Sequence, residues 1–315
     1  MKPPMTLQNP PDILCIGSAL WDIIGRTPVA LRLGGDVPGR ILRLPGGVAL
    51  NIAVTLARFG LRPALLTAIG RDAEGDALIA ACARLGVGTD HVYRSDDLPT
   101  DIYMAIEAAN GLIAAVADAR SLEAAGARIL RALSDGTLAS EATPWPGLIA
   151  LDGNLTEALL ADIAASPLFA RADLRLAPAS PGKAQRLRPL LGHPGATLYA
   201  NLAEARVLAH SDANTAAEAA EALLACGAHR VLVTDGGRAC ADGLRGAGIL
   251  TANPAQVMVA RVTGAGDTFM AAHIVAERGR VAERGGTDQT AANRKMALTA
   301  ALRAAADHVA KEVGS

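Results

Sequence analysis

An α/β fold, with a central mostly parallel sheet sandwiched by helices and a small β lid inserted, is predicted by this sequence on three observations. Short apolar runs such as Ile13 to Ile16 and Leu148 to Asp152 open onto glycine or polar loops and alternate with segments of helical apolar spacing. One pair of strand-like runs breaks that alternation, joined by Asn110-Gly111, the dipeptide of a tight hairpin turn. No internal repeat, low-complexity tract or linker divides the 315 residues, so a single domain over residues 1 to 315 is expected.

Taken in order, Ile13 to Ile16 reads as a buried parallel strand opening onto Gly17-Ser18, with Asp22 shortly after the turn. Between Arg26 and Leu44, Gly34, Gly35, Pro38 and Gly39 break any helix, so strand or lid is expected there. Pro45-Gly46-Gly47 turns the chain into a helix from Val48 to Phe59, closed at Gly60, with Asn51 in its first turn. Pro63 to Ile69 predicts a strand, and a helix follows from about Asp76 to Leu85. Thr100 to Ala108 and Leu112 to Ala117 are the hairpin arms, which puts the lid at about residues 20–44 and 99–117. A helix is expected over Leu122 to Leu133, a strand over Leu148 to Asp152 and a helix over Thr156 to Ala165. Strands follow at Asp173 to Ala177, Thr197 to Ala200 and Arg230 to Thr234, with helices at Ala203 to Leu208 and Thr215 to Cys226. From Val257 an apolar strand is expected to run into a glycine turn and out into a helix carrying Asp267, and a last helix spans about Gln289 to Ala310.

With 51% hydrophobic and 3% aromatic residues and a net charge of −1, the composition is that of a folded globular protein without a broad nucleic-acid surface. Cys15, Cys82, Cys226 and Cys240 show neither CxxC pairing nor zinc spacing, so reduced thiols are expected. The first residues lack an apolar leader core, and no uninterrupted apolar run approaches the roughly 20 residues that span a bilayer. A cytoplasmic location is the expectation.

The chemistry concentrates at Gly264-Ala265-Gly266-Asp267. Glycines at a helix start let main-chain N–H groups of residues 264 to 266 turn toward an anion, and the helix dipole adds an attractive field. A carboxylate beside such a nest suits a general base that deprotonates a hydroxyl while the nest takes up charge on a transferring phosphoryl group. A simple helix cap at Asp267 is the competing account. Gly46 and Gly47 allow close backbone approach and Asn51 could reach sugar hydroxyls, although an ordinary capped helix explains the glycines equally. Asn201 and Glu204 stand at the spacing of a capping box. Thr234, Gly236 and Gly237 could offer a hydroxyl and amides to phosphate, or make a plain hairpin turn. The histidines are scattered and expected to be packed or capped, no Ser-His-Asp order supports acyl transfer, and no P-loop motif occurs.

Thr263 to Asp267, Gly46-Gly47 with Asn51, and Gly70-Arg71-Asp72-Ala73-Glu74-Gly75 together resemble the signatures of the PfkB, ribokinase-like family of sugar and nucleoside kinases. That resemblance covers nearly the whole length and implies a ribokinase-like three-layer sandwich that moves the γ-phosphoryl of ATP to a hydroxymethyl group. It implies Asp267 as base, with Gly264, Ala265 and Gly266 as the charge-stabilising turn. It further implies substrate contacts at Asp22, Gly46, Gly47, Asn51, Asp118 and Asn154. Asn201, Glu204, Thr234, Gly236, Gly237 and Lys183 would meet the nucleotide, Glu204 through water on Mg²⁺. Asp101 is read as a solvated loop charge. Arg261 and Val262 stand where the family carries Asp-Thr, the Asp associated with a monovalent-cation site, so that ion is left open.

Within the family the chain is most similar to the pseudouridine kinase branch, through Asp152-Gly153-Asn154 and Pro178-Ala179-Ser180-Pro181-Gly182-Lys183, with Ala177 where that branch usually has Asp. The implied partner is a small sugar or nucleoside, with no nucleic-acid polymer and no membrane, and a homodimer is left open. Alternatives are a ribose, adenosine or other sugar kinase, or a non-catalytic sugar-binding regulator.

Overall fold

The computed structural model describes residues 10–32, 34–258, 264–284 and 289–310. Strand β1 (Ile13–Ile16) is followed by β2 (Leu20–Arg26), β3 (Arg40–Gly46), helix α1 (Val48–Arg58), β4 (Pro63–Leu66) and β5 (Ala68–Gly70). Next come α2 (Ala73–Arg84), β6 (Tyr93–Ser95), β7 (Ile102–Ala108), β8 (Gly111–Asp118), α3 (Arg120–Ala125) and α4 (Arg131–Ser134). The chain continues through β9 (Leu148–Asp152), α5 (Glu157–Ala165), β10 (Asp173–Ala177), α6 (Pro181–Ala184), β11 (Ala196–Asn201), α7 (Leu202–Ala209) and α8 (Ala216–Ala225). It closes with β12 (Arg230–Thr234), β13 (Cys240–Leu244), β14 (Gly248–Ala252), α9 (Ala265–Arg284) and α10 (Ala291–Val309).

One large sheet runs in the order β14-β13-β12-β11-β10-β9-β1-β4, parallel from β12 to β4 and antiparallel at the β13 and β14 edge. Alternate residues of its strands feed opposite cores. Leu14, Ile16, Leu174, Leu176, Val231 and Val233 pack under α3 to α8. Ile13, Cys15, Tyr199 and Leu232 pack under α1, α2, α9 and α10. Burial on both faces is why these strands are continuously apolar rather than alternating. The cysteines are free thiols, and Cys15, Cys82 and Cys240 are buried. Among the described residues no helix is long and apolar enough to cross a membrane.

The segments expected to form the lid make a separate sheet, β3-β2-β7-β8, whose middle pair is parallel. Several expectations need correction. The helix expected over 122–133 breaks at Gly126, whose φ of +51° admits glycine readily and starts a 3₁₀ turn before α4. Asp72 caps α2 by accepting from the Gly75 N–H, so that helix begins at Ala73, earlier than expected. The run Pro63 to Ile69 divides at Thr67 into β4 and β5. Val257 and Met258 lie in no strand; Met258 is 91% exposed, so burial gives no drive toward one, and residues 259–263 are outside the described set. The edge hairpin β13–β14 was not anticipated.

Helix α9 is tied to the sheet by buried charge. Glu277 bonds Arg175 at 2.5 Å and also Arg230; Arg230 and Arg294 both meet the fully buried Asp242 at 3.0 and 3.1 Å. Burial alone would raise the Glu277 carboxyl, but Arg175, His273 and Arg230 hold it well below the usual range. His273 is packed without exposure against Tyr199, whose hydroxyl lies 2.9 Å from Nδ1, and burial pushes its pKa down to about 4. Glu277 shares Arg175 with Asp173 and Arg230 with Asp242, so removing it leaves each buried arginine one partner short. Glu277→Ala is therefore expected to cost about 1.5–3 kcal/mol of stability, the scale of lost hydrogen bonds to a charged group, read from the denaturant midpoint; a loss below about 1 kcal/mol would contradict this role.

Candidate active site

The carboxyl ends of the parallel strands converge on one edge, the place where open α/β sheets bind ligands. Ser18 follows β1, Asp152 ends β9, Lys183 lies in α6 beyond β10, Asn201 ends β11 and Thr234 ends β12. Sheet order therefore lays these residues in a row, from the β1 and β9 side to the β12 side.

At the first end, Gly47 caps α1 with φ 98° and has no side chain to offer its N–H groups. Val48 N–H donates instead to Ser18 Oγ at 2.9 Å, and Ala49 N–H to Asp152 Oδ2 at 3.0 Å. Neither glycine tolerates a side chain. A Cβ at Gly46 would sit 2.0 Å from Asp22 Oδ2, and one at Gly47 2.5 Å from the Ser18 carbonyl oxygen. Asp22 has no hydrogen-bond donor among the described residues, and burial pushes its carboxyl up to about 6. Its carboxylate lies directly over Gly46 and is free to accept.

The first turn of α1 aims Asn51 at α9, where its Nδ2 donates to Asp267 Oδ2 at 3.0 Å. Asp267 is the third residue of α9, after Gly264 at φ 80°. The Thr268 N–H closes the turn on the Gly264 carbonyl at 3.0 Å, while helix geometry leaves the N–H groups of Ala265 and Gly266 without intrahelical acceptors. Burial pushes the Asp267 carboxyl up to about 7, opposed by the Asn51 bond and reinforced by the charges of Asp152, Glu204 and Asp22. A group half deprotonated near neutrality suits a base.

Toward the middle, Asn154 Nδ2 donates to Ser18 Oγ at 2.9 Å and Asn154 Oδ1 accepts from Lys183 Nζ at 2.5 Å. Burial, then Arg186, lowers the Lys183 pKa. Lys183, expected at the nucleotide, thus stands with Asn154, expected at the acceptor, and does not line the pocket at the β12 end. Ala179, which precedes its helix, holds a φ of 70°, a conformation non-glycine residues seldom adopt.

Asn201 and Glu204 form a complete capping box: Asn201 Oδ1 accepts from Glu204 N–H at 3.0 Å and Glu204 Oε2 from Asn201 N–H at 2.8 Å. Burial raises the Glu204 carboxyl, whose second oxygen stays uncommitted. Among the described residues no cluster of three or more His, Cys, Asp or Glu side chains could cage a metal. One buried carboxylate fits Mg²⁺ that keeps its waters and is carried by phosphates.

At the far end a pocket of about 280 Å³ is lined by Thr234, Asp235, Gly236 and Gly237, by Ala265, Gly266 and Phe269, and by Leu302, Ala305, Ala306 and Val309 of α10. The glycine segment after β12 makes a hairpin turn, with Gly236 at φ 56°, and also walls this pocket. Because Ala265 and Gly266 belong both to the pocket and to the α9 turn, a ligand filling the pocket reaches the anion nest.

One expected site residue stands elsewhere, and one loop charge is not solvated. Asp118 is paired with Arg120 at 2.8 and 2.9 Å and touches none of the cluster. Asp101, read as solvated, is 4% exposed and accepts from the N–H groups of Ser121 and Leu122 at 2.9 and 3.1 Å, capping α3 across a loop. Sequence reasoning missed the roles of Ser18 and Asp152 and the α10 wall of the pocket. The only signal for Asp152 was an acid ending an apolar strand before Gly-Asn.

A family model described as pfkB family carbohydrate kinase matches residues 10–278. A pseudouridine kinase of Escherichia coli (strain K12) is 31% identical over 271 residues, covering 82% of this chain and 81% of that protein. Among solved structures, a carbohydrate kinase from Agrobacterium tumefaciens matches with a TM-score of 0.73 and 27% identity, over 93% of this chain and 89% of that one. The Arabidopsis thaliana ribokinase complexed with ribose and ATP shares the fold, with a TM-score of 0.72 and 20% identity over 97% of this chain and 94% of that one.

Proposed function

Because the chain belongs to the pfkB family of carbohydrate kinases, we propose that it transfers the γ-phosphoryl group of ATP to the hydroxymethyl group of a ribonucleoside or sugar, pseudouridine being the favoured acceptor. The observation that carries this reading is the contact of Asn51 with Asp267 beside the amides of Ala265 and Gly266. Asn51 occupies Oδ2, which leaves Oδ1 to take the proton of the acceptor hydroxyl as the oxygen attacks phosphorus. Gly264, Ala265 and Gly266 stabilise the transferring group through main-chain N–H donors at a helix start. Asp22, with Gly46 beneath it, accepts from acceptor hydroxyls, and Asn154 with Lys183 meets the remainder of the acceptor.

The nucleotide base fills the 280 Å³ pocket, and Thr234, Gly236 and Gly237 face its phosphates. Glu204, through water, and Asn201 would hold Mg²⁺, which when bound would neutralise phosphate charge. The whole chain acts as one kinase domain, and the β3-β2-β7-β8 sheet serves as a lid whose closure excludes water from the transfer. The similarity to the E. coli pseudouridine kinase supports the acceptor.

One observation favours a second reading, a ribose-type acceptor: buried Ala177 ends β10 where the pseudouridine kinase pattern has an acid. A panel of pseudouridine, uridine, ribose, adenosine and hexose phosphates, read by ADP release, separates the two. The highest kcat/KM is expected with pseudouridine. Preference for ribose supports the second reading, and binding of an acceptor without ADP release from any supports a non-catalytic role.

A further inference from the structure

Asp152 is fully buried, yet it forms no salt bridge among the described residues. Its charge is held by hydrogen bonds and by the positive end of α1. Oδ2 accepts from the Ser18 N–H and Ser18 Oγ, both at 2.8 Å, and from the Ala49 N–H; Oδ1 accepts from the Asn154 N–H at 2.8 Å. The Ser18 hydroxyl is saturated, giving its proton to Asp152 and accepting from Val48 N–H and Asn154 Nδ2. Nothing can be inserted here: a Cβ at Gly17 would lie 2.3 Å from the Asp152 carboxyl carbon.

Three segments thus hang on one carboxylate. They are the loop after β1, the first turn of α1 that carries Asn51, and the loop after β9 that carries Asn154 and, through it, Lys183. A helix cap alone needs no buried charge, since a serine or asparagine would serve. We propose, resting on the kinase reading above, that Asp152 is a positioning residue for phosphoryl transfer, locking Asn51 against Asp267 and Asn154 with Lys183 against the acceptor in one rigid unit.

The charge also acts on the base. Among the described residues the titratable groups facing Asp267 are Asp22 on β2, Asp152 on β9, Glu204 on α7 and, across Thr268, His308 on α10, whose Nδ1 lies 3.0 Å from the Thr268 hydroxyl. Helix α1 presents the neutral Asn51 to it. Of these, Asp152 is the first contributor among the charges that raise the Asp267 pKa.

The test compares Asp152→Asn and Ser18→Ala with wild type, using ATP and the best acceptor of the panel. Asp152→Asn is expected to lower kcat about 10- to 100-fold, the scale of a small misplacement of reacting groups, with the KM for ATP unchanged. The acid limb of its kcat profile moves to lower pH, because a negative neighbour of the base is gone. Ser18→Ala keeps that charge, so it lowers kcat and leaves the limb in place. Unchanged kcat in a folded Asp152→Asn, or a loss in which both KM values rise and the limb stays put, overturns the proposal. Should Asp152→Asn not fold, Ser18→Ala decides: a kcat loss at constant KM for ATP supports the unit, and unchanged kcat overturns it. A wild type that phosphorylates no acceptor sinks the kinase reading and this proposal together, whereas an active wild type with indifferent variants sinks the proposal alone.

Discussion

Asp267→Asn is expected to lower kcat by about 10²- to 10⁴-fold, the usual contribution of a positioned base, while the KM for ATP changes little. The substitution keeps the shape of the side chain and leaves the helix start and pocket intact, so the loss falls on proton removal. In the wild type, kcat should rise with pH through about 7, because only the deprotonated Asp267 takes the proton and burial sets its pKa there. That limb should vanish in Asp267→Asn. Stability should move the other way. A carboxyl whose folded pKa lies above its unfolded value of 3.8 disfavours the fold once pH exceeds that value, so at pH 7 the asparagine variant should melt no lower than wild type. A variant of unchanged kcat, or one that has simply unfolded, contradicts the assignment.

Asp22→Ala should raise the acceptor KM and lower kcat/KM for the acceptor by about 10²-fold, the scale of losing one or two hydrogen bonds to a charged group. The KM for ATP should stay put, since the pocket proposed for the nucleotide is built from β12, α9 and α10 at the other end of the sheet edge. Its carboxyl is pushed up to about 6 by burial, so acceptor affinity should weaken as pH falls through 6 and the protonated acid loses acceptor capacity. Steady-state kinetics at varied acceptor concentration measures this; equal loss for both substrates would show that Asp22 supports the fold rather than the acceptor.

The parts of this site that were legible in the sequence are those where chemistry tolerates only one residue type. Gly46 and Gly47 have no room for a Cβ, and Gly264 turns at positive φ, so each announces itself as glycine beside a helix start. Continuous apolar runs such as Ile13–Ile16 were equally plain, because a strand buried on both faces has no polar side. What stayed hidden depends on distant partners. Asp152 reaches Ala49 across 103 positions and Ser18 across 134, and no local pattern encodes such a cap. Asp101 looked like a loop charge because the N–H groups it caps come 20 and 21 residues later. Ala305 and Ala306 are ordinary helix residues until α10 is laid beside the β12 turn, where small side chains leave space for a ligand.

The most direct test follows labelled phosphate from the γ position of ATP into the acceptor in a single turnover, with enzyme in excess over nucleotide. The account predicts label in a phosphate ester at the acceptor's hydroxymethyl, with matching ADP, for wild type, and a transfer at least 10²-fold slower for Asp267→Asn with both ligands bound. Label reaching water but never the acceptor, or transfer at an undiminished rate by Asp267→Asn, would contradict it.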